Sequence, residues 1–176
     1  MKALACLVML TSTLASAACA RASQQESHEH HAGHQSATVS ARQAHVAAWG
    51  AHVMPFDLDR STHVFARAAD GGTQTVVSKD GAPDQVALIR QHLKEEAAAF
   101  ATGDYSSPAS IHGAGMPGLR ELSRAGVRLQ VTYEAIDRGA RIRFESTDSA
   151  VVKALHAWFD AQVADHGNHA AHGHSH

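Results

Sequence analysis

Cysteine is nearly missing from this chain of 176 residues: Cys6 and Cys19 are its only two, and both fall within the first twenty positions. With no thiol pair after that point, a disulfide framework, a zinc ribbon, an iron–sulfur cluster and thiol catalysis are all excluded. Any metal site must therefore use His, Met, carboxylate or backbone oxygen. Long apolar runs are missing as well. The best, from Ala3 to Leu14 in MKALACLVMLTSTLASAACA, is about a dozen residues, against the roughly 20 that a bilayer-spanning helix needs. Charge of one sign is also lacking, with 15 Lys and Arg against 17 Asp and Glu. Together with the lack of a basic stripe interleaved with aromatics, this argues against nucleic acid as a partner.

Catalytic signatures are absent too. The chain has no Ser in a strand-to-helix elbow, no HExxH, no phosphate-cradling glycine loop and no CxxCH for covalent haem. Asp57 and Asp59 in FDLD have the spacing of paired acids, or of the start of a DxDx(T/V) phosphotransferase motif. No parallel-sheet pattern follows them, so FDLD reads as a turn entering a strand.

What is present begins with an export signal. One Lys, an apolar run and then small residues predict a leader over 1–20, with cleavage after Ala17 or Ala20. A second reading makes Cys19 the lipidated first residue of a lipoprotein, although Ser16 stands where such signals carry Leu. The expected location is the periplasm or cell envelope. A membrane is a partner only if Cys19 is lipidated.

Residues 21–43 are polar and poor in large apolar groups, a composition that predicts a disordered linker. Residues 44–166 are globular in composition and sufficient for one core. Residues 167–176 read as a disordered tail. Within the globular span a pattern recurs. HVFARAADGGTQTVVSKD predicts a hairpin around Asp70-Gly71-Gly72, followed by a helix opened by Pro83, with Val86, Ile89, Leu93, Ala97 and Phe100 on one face. LQVTYEAIDRGARIRFESTD predicts a second hairpin. SAVVKALHAWFDAQVADH predicts a second helix, capped by Asp148, with a stripe of Val152, Leu155, Phe159 and Val163. The expected fold is α+β: a duplicated β-β-α unit making one antiparallel four-stranded sheet, with two helices on one face and disordered His-rich tails at either end.

Two segments fall outside the repeat, WGAHVMPFDLDRST and GDYSSPASIHGAGMPGL. Both are expected to be irregular, the second with a short helix over Leu119 to Leu122. Each carries a histidine close to a methionine: His52 with Met54, and His112 with Met116. Imidazole with thioether suits copper, because soft sulfur selects soft ions. His63 begins the first strand on the face of Phe65, and His92 lies beside the apolar stripe of its helix. Both can reach a shared site near the loop of His112. His156 reads as a hydrogen-bonded histidine at the edge of the core. His166 ends the second helix on its packed face.

The remaining histidines form flexible clusters: His28, His30, His31 and His34 before the domain, and His169, His172, His174 and His176 after it. Such imidazoles can assemble around Zn²⁺, Ni²⁺ or Cu²⁺ without a preformed pocket, and they need to be neutral to do so.

AHVMPFDLDRSTHVF, QVALIRQHLKEEAAAFATGDYSSPASIHGAGMPGL and ALHAWFDAQVADHG resemble a family of small exported bacterial proteins often labelled aspartate carbamoyltransferase. The resemblance covers nearly all of the globular part and implies export, but no secure activity. Transcarbamylases use a Ser-Thr-Arg-Thr-Arg phosphate loop and a His-Pro-x-Gln segment. Here Ser61-Thr62-His63 matches two residues of the first, and nothing matches the second. The sequence therefore points to an exported protein binding copper or zinc, with metal ions and other envelope metal-handling proteins as partners. A haem or small-molecule module, using His and Met as axial ligands, is the second reading. An enzyme of undetermined type is the third.

Overall fold

The structure, a computed structural model, describes residues 38–173. The expected leader, most of the expected linker with His28, His30, His31 and His34, and the last residues with His174 and His176 lie outside the described residues. Residues 39–173 belong to one compact unit.

A first helix, α1, runs over residues 38–53. Then follow β1 (Ser61–Ala68), β2 (Gly71–Ser78), α2 (Pro83–Ala101), α3 (Ser106–His112), α4 (Leu119–Ser123), β3 (Gln130–Ile136), β4 (Gly139–Glu145), α5 (Ser149–His166) and β5 (Ala170–Gly173). The class is α+β. In β1–β2, Ala68 stands opposite Gly71, and in β3–β4, Ile136 stands opposite Gly139. Each hairpin thus closes through two residues, Ala69-Asp70 and Asp137-Arg138. The hairpins join through an antiparallel β2–β4 pairing.

The expected four-stranded antiparallel sheet is corrected to a mixed sheet of five strands in the order β3-β4-β2-β1-β5. β5 lies parallel to β1, with Ala170 opposite His63. Its sequence, Ala-Ala-His-Gly, has no β-branched or bulky apolar residue, so the usual composition of a strand is missing. The pairing rests on the main chain. Because β4 and β1 run the same way, α5 is the crossover that parallel strands require, carrying the chain from β4 to β5.

Both predicted boundaries of the globular region shift for similar reasons. The segment expected to be disordered from residue 167 makes a 3₁₀ turn (Gly167–His169) and then β5. Residues 38–43, assigned to the linker, and Trp49–Val53, assigned to an irregular segment, belong to α1. Alanine gives this helix its intrinsic propensity. Its only fully buried large apolar side chain is Val46, 1% exposed, too little to produce a visible periodic stripe.

The core lies between the inner face of the sheet and the two long helices. Phe65, Val76, Ile142 and Phe144 meet Ile89, Leu93 and Phe100 of α2 and Leu155, Trp158 and Phe159 of α5. Pro83 sits in the first turn of α2, whose five expected stripe residues are all buried. Asp148 caps α5, accepting from the Ala150 amide at 2.9 Å. Val152, Leu155 and Phe159 are buried as expected, while Val163 is only partly so. The buried stripe runs instead through Trp158, Gln162, Asp165 and His166. Gly118, at φ +76°, lets α4 close on α5: a Cβ there would stand 2.0 Å from the Ala154 carbonyl oxygen.

Candidate functional site

The period of two along β1 turns Ser61, His63 and Phe65 inward together. His63 therefore enters the core from the sheet, beneath the C-terminal end of α5. His166 meets it from that end: their rings stack at 5.1 Å with 6° between planes. His112, the last residue of α3, meets His166 edge to face at 4.9 Å. His92, from α2, reaches the same region, packing on Phe56 at 5.7 Å, and Phe56 in turn lies 6.0 Å from His63. The four histidines, with Met54, Glu96, Gln74 and Gln162, line one cavity of about 30 Å³. That is room for one water molecule or one ion.

Burial dominates the electrostatics here. It pushes His63 down to about 4, helped by the neighbouring His92 and opposed by a polar contact with the His169 main chain. It also lowers His166, with His63 and His112 adding to the effect, and it lowers His92. In His112 burial again lowers the value, although the hydrogen bond to Asp165 opposes it. At neutral pH these imidazoles are uncharged, and each keeps one nitrogen lone pair. Glu96 is shifted up by burial, toward its neutral form. Four lining side chains also hold polar atoms without a partner in the protein: His63 Nδ1, Gln74 Oε1, Trp158 Nε1 and Gln162 Oε1. Buried polar atoms are nearly always paired, so the cavity lining keeps hydrogen-bonding capacity that the protein itself does not use.

His112 has a defined partner. Its Nδ1 lies 2.9 Å from Asp165 Oδ2, and the Asp165 carboxylate is paired with the Arg42 guanidinium from α1. Arg42 also donates to the His112 carbonyl at 3.2 Å. The rings are packed rather than convergent. Among the described residues no group of three or more His, Cys, Asp or Glu is set to hold a metal ion as it stands. Convergence requires rotation about the soft final torsion of the imidazoles.

The candidates named from the sequence divide clearly. Met54, His63, His92, His112 and His166 come together at the cavity. His52 does not join them: it is exposed on α1, edge to face with Trp49 at 6.2 Å. Met116 is a core residue, 5% exposed. The expected quartet of His52, Met54, His112 and Met116 is thus corrected, because helical α1 turns His52 outward and the Met116 side chain packs into the core. His169 sits above the cavity region with Nδ1 3.2 Å from the Leu58 carbonyl, and His172 is exposed on β5. His156 places Nε2 2.8 Å from the Gly71 carbonyl and 3.2 Å from that of Ala68, and so donates to the first hairpin. Asp57 is a turn residue, its side chain accepting from the amides of Asp59 at 2.8 Å and Arg60 at 3.3 Å.

No family model, curated protein or solved structure matches the chain.

Five contributors escaped the sequence reading: Arg42, Gln74, Glu96, Gln162 and Asp165. For two of them a signal existed. On α5, continuing from Phe159 by steps of three reaches Gln162 and Asp165, so polar residues occupy core-facing positions. Polar side chains there need a reason. Arg42 carried no signal, because its segment read as linker.

Proposed function

We propose that this is an exported metal-binding protein that sequesters or passes on copper in the cell envelope, with zinc as the other candidate. One observation carries the reading: four uncharged histidines and the Met54 thioether line a single cavity the size of an ion. Metal ligation needs neutral imidazole, and burial supplies it here at neutral pH. A thioether beside imidazoles favours Cu(I) over harder ions. A cavity of about 30 Å³ has no room for a porphyrin, which weighs against the haem reading. The export reading rests on the leader pattern of residues 1–20.

The test uses the full chain from which the dispersed imidazoles are removed, with His28, His30, His31, His34, His172, His174 and His176 each replaced by Asn. Titration with Cu(I) and Zn²⁺ against competing chelators is expected to leave one site of sub-micromolar affinity. It should be lost in a further His63→Gln, His112→Gln double variant. A chain that retains no site tighter than micromolar once those seven histidines are gone would refute the reading.

A further inference from the structure

The polar chain behind His112 has a geometry that a simple packing contact does not need. His112 is deeply buried, its side chain 1% exposed, and Asp165 is 7% exposed at its side chain. Asp165 is not among the cavity-lining residues, whereas His112 is. The Nδ1 edge of the ring is taken by the carboxylate at 2.9 Å, which leaves Nε2 as the ring nitrogen for an occupant.

We propose that Asp165 is a positioning residue for the ion site: it fixes His112 as the Nδ1–H tautomer, so that Nε2 presents its lone pair to the ion. This rests on the reading of the cavity as a metal site. An ionised carboxylate only accepts hydrogen bonds, so the nitrogen facing it must carry the proton. A carboxylate behind a ligating imidazole sets its tautomer and orientation and raises its basicity. Arg42 completes the device. Its guanidinium occupies the carboxylate and keeps Asp165 itself from turning to the ion, while its bond to the His112 carbonyl ties the same ring's main chain to the same anchor.

Arg42 also makes the test sharp. In Asp165→Asn the single amide oxygen is claimed by the guanidinium, which has only donors. The amide NH₂ then faces His112 Nδ1, which must become an acceptor, and the proton moves to Nε2, where it blocks ligation. Imidazole ¹⁵N NMR of the metal-free full chain should show His112 as Nδ1–H in the wild type and as Nε2–H in Asp165→Asn. Affinity for Cu(I) and Zn²⁺ should fall about 10–100-fold in that variant, and Asp165→Glu should recover the Nδ1–H tautomer and part of the affinity. A residue that merely tied α1 to α5 would leave the tautomer unchanged.

A wild-type protein with His112 as Nδ1–H supports the proposal, whereas one with Nε2–H overturns it without any variant, even if Asp165→Asn fails to fold. Undiminished affinity in Asp165→Asn, with sub-micromolar binding in the wild type, overturns the positioning role alone. No binding in the wild type removes the metal-site reading and this inference with it.

Discussion

His63 is the residue whose setting has the most direct thermodynamic consequence. Its ring is buried from the inner face of β1, and burial lowers it from 6.5 to about 4. Above 6.5 the ring is neutral in both folded and unfolded chains, and its burial contributes in full. As pH falls from 6.5 toward 4, the unfolded chain takes up a proton that the folded chain refuses, so stability is lost over that window. The loss reaches about 3 kcal/mol by the lower end for this residue alone, and His166, shifted the same way by burial, adds to it. Urea unfolding of the metal-free protein at about pH 7.5 and about pH 5 checks this. His63→Gln, which lowers stability at both, should shrink the pH-dependent difference by about 2 kcal/mol, with His166, His92 and His112 holding the remainder. Equal differences in the two proteins would mean that His63 titrates as it does in water.

At the scale of elements, the two hairpins and two long helices were legible because each carries its own period. Alternating inward residues mark β1 and β4, and a three-and-four spacing marks α2 and α5. α1 and β5 were hidden because neither has a stripe to display: α1 buries Val46, and β5 offers Ala-Ala-His-Gly. Yet β5 bears on the site more closely than any hairpin turn does. Its first residue stands opposite His63, and the turn before it brings the His169 main chain to the His63 ring. A chain ending at Gly167 would lose that contact, uncover the β1 edge and leave a buried histidine less well satisfied. Removing a partner from a buried polar group costs about 1–3 kcal/mol, so the shortened protein should fold but unfold at lower urea. An unchanged midpoint would make β5 an accessory to the sheet rather than a cover for the site.

For the whole molecule, the question raised by fifteen histidines is which of them distinguish a folded protein from an unfolded one. The sequence could place His63, His92, His112 and His166 individually, but not together. Three separate elements, α2, α3 and the end of α5, must converge over β1 before the rings meet, and that convergence is set by packing rather than by spacing along the chain. The sequence leads one to expect that imidazoles at the chain ends bind ions without a preformed pocket. An ion that binds folded and unfolded chains alike leaves stability unchanged, whereas one held only by the folded cavity stabilises by RT ln(1 + [L]/Kd), about 2.7 kcal/mol at 100 times Kd. For a domain of this size that corresponds to a rise in Tm of roughly 5–10 °C. Thermal unfolding with Zn²⁺, read beside a direct count of bound ions, separates the two populations. The full chain should bind several ions and gain that rise. Replacing the seven terminal histidines by Asn should cut the count and keep the rise. His63→Gln with His112→Gln should keep most of the count and lose the rise. If the rise followed the terminal histidines instead, the cavity would be a packing feature and the ends would be the metal-binding part of the protein.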